Sequence, residues 1–359
     1  MIFIYGHYYE ANVTSNDPQP THRRLSTLSN YSFQSVDPEN RNRGSSLEQR
    51  PLCSLRWTVE RDVILRQYFN FSVSVLTWAV DLRPSVWHRL QSHKPPYGWK
   101  GLPPNVLNRT LGLLREPSGQ LFDRGSLRCV RCAVVGNGGI LKGSGQGQAI
   151  NSHDFVFRFN GAVTKGFEED VGTKTNFYGF TTNTMKNSLT YYKAAGFTKV
   201  PQGPDVHYVF IPSDIRDYVM LAAGIEGVPV VSGVDKGDHP SRYFGPTPAL
   251  QQFKMLHPDF VTYIKDKFLM SPRLQSVHAD KYMPSTGALM LMTALHTCDQ
   301  VSAYGFITKN YQDFSDHYFD VVKRPLVFYA NHDMKMEARL WSDLHAHKIM
   351  WLYTRPNGM

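Results

Sequence analysis

The stretch CAVVGNGGIL, residues 132–141, decides the fold. It continues an apolar run, Val130 to Val135, that stops at Gly136-Asn137-Gly138-Gly139. A short apolar run ending in glycines reads as a strand entering a tight loop. In such a loop the backbone N–H groups can approach a phosphate closely. Two nucleotide fingerprints fail here. The dinucleotide pattern needs a third glycine where Leu141 stands, and a P-loop needs Gly-Lys-Ser/Thr where Gly143-Ser144-Gly145-Gln146-Gly147 stands. Without a ligand the same loop is an ordinary glycine turn.

Working outward, Asp154 to Phe159 alternates as a strand does and leads through Arg158 into Asn160. His207 to Ile211 reads as a strand, followed by a helical stretch from Ser213 to Ala223. Val228 to Val231 and Val301 to Phe306 read as further strands. Pro284 to Thr297 is helical, with Ser285 and Thr286 placed to cap it, and Met334 to His347 is a last helix. Strands alternating with helices predict an α/β fold: a Rossmann-like, mostly parallel sheet flanked by helices, in a single domain. That domain is expected over 126–359. Residues 51–125, broken by Pro84, Pro95-Pro96, Pro103-Pro104 and Pro117, read as a collar packed on it. Residues 1–50, rich in Asn, Ser, Pro and Arg, read as a disordered stem or linker.

The chain of 359 residues carries 39 Lys and Arg against 30 Asp and Glu, a formal charge of +9. That balance suits an anionic partner, but the basic residues are scattered and form no nucleic-acid signature. Four cysteines, Cys53, Cys129, Cys132 and Cys298, fit two disulfides in an oxidising compartment. A zinc reading of Cys129 and Cys132 lacks a second ligand pair. Four N-x-S/T sequons, at Asn12, Asn30, Asn70 and Asn108, all fall in the first third and are N-glycosylation candidates. No apolar run approaches the roughly 20 residues that span a bilayer.

Several side chains carry possible chemistry. Asn160, at a strand end, can offer both an amide donor and a carbonyl acceptor to a ribose or base. Ser285, Thr286 and Gly287 sit where a helix start presents N–H groups and hydroxyls to an anion, though ordinary capping explains them equally. His317, in His317-Tyr318-Phe319-Asp320, and His332, with Glu337 after it, are of the residue type that can take or give a proton at physiological pH. A clean acidic D-x-D, the usual manganese motif of glycosyltransferases, is not found.

Together and in this order, these segments resemble the animal sialyltransferases, glycosyltransferase family 29. The family's large motif is similar to Cys129 through Phe180, its small motif to Pro284 through Phe306, its third motif to His317 through Asp320, and its last, His-x4-Glu, to His332 through Glu337. The resemblance covers roughly residues 95–355. The segments PYGWKGL (96–102), NTMKNSL, IPSDIRDYVML, YFGP and QVSAYGFIT are similar to the α-N-acetylgalactosaminide α2,6-sialyltransferases of types 1 and 2.

The resemblance implies a modified GT-A-type fold whose single domain binds a nucleotide sugar, a CMP–sialic acid donor and no metal or other cofactor. It implies transfer in α2,6 linkage to the GalNAc of O-linked glycans on glycoproteins, by an inverting single displacement. Asn137, Gly138 and Asn160 would contact the nucleotide, and Ser285, Thr286, Gly287 and Gly305 would line the donor site. His317 would stabilise the leaving phosphate and His332 would be the base. The family begins with a short cytosolic tail and one transmembrane helix, so the full-length form is expected to be a type II membrane protein facing the Golgi lumen. A lectin-like protein on the same fold, or a Rossmann oxidoreductase, are the rival readings; the missing third glycine opposes the latter.

Four cysteines allow three pairings. The expectation is Cys132–Cys298, tying the glycine-loop strand to the end of the helix that starts at Ser285, with Cys53–Cys129 pinning the collar. The alternative is Cys129–Cys132 with Cys53–Cys298.

Overall fold

A computed structural model of the chain describes residues 53–115, 121–277, 279–329 and 331–355. Its centre is a seven-stranded sheet: β1 Arg131–Val135, β2 Phe155–Phe159, β3 Phe177–Phe180, β4 His207–Phe210, β5 Phe253–Met255, β6 Gln300–Tyr304 and β7 Trp351–Leu352. The order across the sheet is β5-β4-β3-β2-β1-β6-β7, and every pair is parallel. A sheet covered on both faces makes its strands near-continuous apolar runs, which is how CAVV and FVFRF read. The chain lays β1 to β5 outward in one direction and then returns to place β6 on the other side of β1. The strand order therefore reverses between β1 and β6, and the crevice beyond their carboxyl ends is where α/β sheets bind ligands.

Among the described residues six helices of ten residues or more pack around the sheet: α1 Pro104–Leu113, α2 Thr182–Tyr191, α3 Ile215–Glu226, α4 Pro258–Lys267, α5 Thr286–Thr297 and α6 Met334–Ala346. In α5 every residue from Thr286 to His296 is buried, because it lies across β1, β2, β3 and β6. A helix apolar all round belongs in a core, and TGALMLMTALHT is one. Ser285 caps it, accepting from Ala288 N at 3.0 Å, while Thr286 is its first helical residue.

Val228 to Val231 is not a strand. The preceding helix ends at Gly227 in the left-handed conformation, Pro229 follows, and Val230 closes a local loop with Gly237 and Asp238. Pro cannot donate to a sheet ladder, and the valines serve the loop instead. Strands β3 and β5 went without a distinct signal, one interrupted by Gly179 and the other only three residues long.

Residues 53–115 pack on this body. Leu76 pairs antiparallel with Leu256 beside β5, Thr77 N donates to Met255 O at 2.9 Å, and α1 lies on α3 with Thr110 Oγ1 donating to Tyr218 O at 3.0 Å. The disulfides are Cys53–Cys129 and Cys132–Cys298, the second with a Cα–Cα distance of 6.2 Å. The alternative pairing, Cys129–Cys132 with Cys53–Cys298, is not formed. Asn70 and Asn108 are exposed, while Asn12, Asn30 and the 1–50 stem lie outside the described residues. Among the described residues no helix is long and apolar enough to cross a membrane.

Candidate active site

The glycine loop after β1 and the turn after β6 interlock at the reversal point. Gly136 N donates to Tyr304 O at 2.7 Å and Gly138 N to Gly305 O at 3.0 Å. Gly305 has φ +68°, and a Cβ there would stand 2.6 Å from Gly136 O. The position tolerates only glycine, on conformation and on space alike. Asn137 Nδ2 reaches across to Phe159 O at 3.3 Å and so ties the loop to the end of β2.

Asn160 follows directly, in the left-handed region at φ +52°. The Tyr178 hydroxyl donates to its carbonyl at 2.6 Å, which stabilises that turn. The side-chain oxygens of Asn137 and Asn160 are both buried and both lack a hydrogen-bond partner. Buried polar atoms are nearly always paired, so each such exception calls for an explanation. These two stand just past the carboxyl ends of adjacent strands, β1 and β2, where the strand order reverses.

The His317 segment folds onto the same loop. Gly138 and His317 form an antiparallel bridge, Tyr318 N donates to Asn137 O, and Gly139 N donates to Ser315 O. Asp320 closes the turn, its Oδ2 accepting from His317 N at 2.8 Å and Ser315 Oγ at 2.6 Å. Asp316 Oδ2 stands 3.5 Å from His317 Nδ1, and burial pushes the Asp316 carboxyl up.

The start of α5 brings the third element. Gly287 leaves room for the rings of Phe159 and Phe306, which lie against it. Glu337, buried in the first turn of α6, accepts from Ser285 N at 2.8 Å and from Ser285 Oγ at 2.6 Å. Burial pushes its carboxyl up to about 7, against the pull of the Ser285 bonds. Met283 N donates to Asn331 O at 3.0 Å, and His332 Nδ1 lies 2.8 Å from Met283 O. A carbonyl can only accept, so Nδ1 carries the proton and Nε2 keeps its lone pair. The Asn331 amide is 3.2 Å from that Nε2. Burial holds the His332 pKa below its ordinary value, with Arg273 adding to the effect, so the ring is neutral near pH 7.

All nine site positions suggested by the sequence therefore fall on two joined constellations. Asn137, Gly138, Asn160, Gly305 and His317 belong to the first. Ser285, Thr286, Gly287 and His332 belong to the second, with Gly287 meeting the first through Phe159 and Phe306. Sequence reasoning missed the Met283 carbonyl that sets the His332 tautomer, and Tyr192, whose hydroxyl is 3.3 Å from His317 Nε2. Neither stands in a pattern that names it. Among the described residues no three His, Cys, Asp or Glu side chains gather as a metal set.

Comparison with known proteins identifies relatives of this chain. The family model described as glycosyltransferase family 29 (sialyltransferase) matches residues 76–349. The chain is 57% identical over 327 residues to alpha-N-acetylgalactosaminide alpha-2,6-sialyltransferase 2 of Mus musculus, covering 90% of this chain and 87% of that protein. It is 42% identical over 310 residues to alpha-N-acetylgalactosaminide alpha-2,6-sialyltransferase 1 of Homo sapiens, covering 84% of this chain and 52% of that one. A crystal structure of a mammalian sialyltransferase, in complex with Gal-beta-1-3GalNAc-ortho-nitrophenol, superposes with TM-score 0.56 at 26% identity, over 81% of this chain and 94% of its own. On the strength of a family match spanning most of the chain and of these relatives, the chain belongs to glycosyltransferase family 29, the sialyltransferases.

Proposed function

We propose that this sialyltransferase moves sialic acid from CMP–sialic acid to the GalNAc of O-linked glycans on glycoproteins, in α2,6 linkage. Its relatives' names support the linkage and the acceptor sugar. The observation that carries the mechanism is the His332–Met283 bond, which leaves Nε2 as a lone-pair base. Nε2 takes the proton of the acceptor hydroxyl as its oxygen attacks the anomeric carbon. The bond from that carbon to the CMP phosphate breaks, its electron pair stays on the phosphate, and configuration inverts. His317 faces the departing phosphate. Asn137 and Asn160, with oxygens unpartnered in the protein, receive donors from the nucleotide. Ser285, Thr286, Gly287, Gly138 and Gly305 shape the cradle. The step is drawn without a metal, and the two disulfides suit the oxidising lumen of the Golgi.

The test is CMP release from CMP–sialic acid with a desialylated mucin. His332→Ala should lower turnover by at least about 100-fold, the scale of a general base, with CMP affinity near native. Turnover close to native in that variant removes His332 from the mechanism. Activity should persist in EDTA, and loss restored by Mn²⁺ overturns the metal-free step. An acceptor panel of GalNAc, Gal-GalNAc and sialylated peptides defines the preferred core.

A further inference from the structure

We propose that Tyr192 is the positioning residue for His317, holding the imidazole so that Tyr192 O–H and His317 Nε2–H meet the departing phosphate as a pair. The inference rests on the reading of His317 as the phosphate partner. It adds a residue that lies outside every motif noted in the sequence.

Four observations carry it. First, Tyr192 is the C-cap that follows α2, its N–H bonded to Ser188 O, so a helix terminus delivers its ring to the site. Second, the ring is seated on the backbone of Gly161, next to Asn160. A Cβ at 161 would stand 2.2 Å from Tyr192 Cδ2, so this contact requires glycine. Third, the His317 ring is held on its sides. Phe319 stacks on it at 4.8 Å and 15° between planes, and Tyr192 meets it tilted at 5.0 Å. Tyr192 in turn packs edge-on to Phe319 at 5.2 Å. Fourth, the two ring nitrogens face different partners. Nδ1 looks toward Asp316 Oδ2 at 3.5 Å and Asp320 Oδ2 at 3.9 Å, and Nε2 toward the Tyr192 hydroxyl at 3.3 Å.

The chemistry follows from those partners. Carboxylates only accept, so Nδ1 keeps its proton and Nε2 is the variable side. Nε2 and the phenol hydroxyl are paired with each other. An arriving phosphate oxygen offers both a better acceptor. Nε2 takes up a proton from solvent with the arriving anion and donates it as a hydrogen bond to the phosphate oxygen, and the phenol O–H, 3.3 Å away, turns with it. Hydrogen bonds to an ionised acceptor are shorter and roughly twice as strong as neutral ones. Tyr192 also joins Gly161, beside the nucleotide-facing Asn160, to the phosphate-facing His317, so one ring sets the distance between the two ends of CMP.

The experiment uses the purified chain and four forms of it: native, Tyr192→Phe, His317→Ala and the double variant. Tyr192→Phe keeps the ring on Gly161 and removes only the hydroxyl. Inhibition constants are measured for CMP and for cytidine, which lacks the phosphate, together with kcat and acceptor KM. The expected result is CMP binding weakened about 3- to 10-fold, the worth of one hydrogen bond. Cytidine binding and acceptor KM stay native, kcat falls by at least as much, and the substitution adds nothing in the His317→Ala background. Native CMP binding and kcat in Tyr192→Phe overturns the proposal. So does equal weakening of CMP and cytidine, or a full additional loss on top of His317→Ala. If His317→Ala itself leaves CMP binding unchanged, the phosphate reading of His317 falls. If that variant is weakened and Tyr192→Phe is not, only the role of Tyr192 falls.

Discussion

Glu337 makes an unusual promise about stability. Its carboxyl is buried, 4% exposed, and takes both of its bonds from one residue, Ser285. Burial pushes it up from an ordinary 4.5 to about 7. A carboxyl raised on folding binds its proton better in the folded chain than in the unfolded one. Its contribution to stability is complete below about pH 4.5 and is lost as pH climbs through about 7. A rise of that size corresponds to about 3 kcal/mol. For a domain of this size the unfolding entropy is on the order of 0.6 kcal/mol per degree, so the loss is about 5 °C in Tm. Glu337→Gln has nearly the same shape and cannot titrate. Thermal unfolding of both proteins from pH 4.5 to 8 should show nearly equal Tm at the acid end. The variant should then pull ahead by several degrees at the alkaline end. Asp217, pushed up to about 6 by burial, titrates in both proteins and cancels in the difference. Curves that stay parallel, or a variant that loses ground as pH rises, would refute the argument.

Other outcomes can be measured alongside. Replacing Cys132 and Cys298 by Ser removes a cross-link across 166 residues of chain and should cost about 3–5 kcal/mol, seen as a lower Tm; an unchanged Tm would mean that the cross-link contributes nothing. Arg158→Met removes a buried guanidinium that donates to Lys174 O, Thr175 Oγ1 and Val171 O, and should cost at least about 3 kcal/mol in urea unfolding, because the carbonyls left behind are unpaired; a native midpoint would contradict that. Asn70 and Asn108 should carry N-glycans in a secreted form, read as mass lost on glycosidase treatment and absent from the matching Asn→Gln variants.

The parts of this fold that a reader of the sequence can see are those where one physical demand dominates. β1 and its glycine loop are legible because a doubly covered strand must be apolar and a tight interlock must be glycine. α5 is legible because burial on all sides leaves no polar face. Val228 to Val231 misleads for the opposite reason: four residues are apolar, yet Gly227 and Pro229 take them out of the sheet. Strand β3 hides behind Gly179, which is small because Met290 of α5 packs there. The site shows the same division. Asn137, Asn160, His317 and His332 stand in recognisable runs. Their supports are harder to read: Glu337 closes the last motif, but nothing there says that it grips Ser285 from 52 residues away, and His332 takes its tautomer from a backbone carbonyl that any residue would supply.

The tethers share one geometric task, which is to hold α5 at both ends. Cys132 opens β1 at the end of the sheet remote from the crevice, and its disulfide partner Cys298 follows the last turn of α5. Twelve helical residues later in space, about 18 Å away, Glu337 grips Ser285 at the first turn. A helix fixed at one end alone could pivot over the sheet, and Gly287 would leave Phe159 and Phe306. Fixed at both, it can neither slide nor swing, so the cap at Ser285 stays in register with the loop at Gly136–Gly139. His332 hangs from Met283, two residues before that cap, and His317 hangs from the loop itself. The separation of the two histidines is thus set by the bonded ends of α5 and β1. The long segment between them in the chain does not have to be rigid for the site to hold its shape.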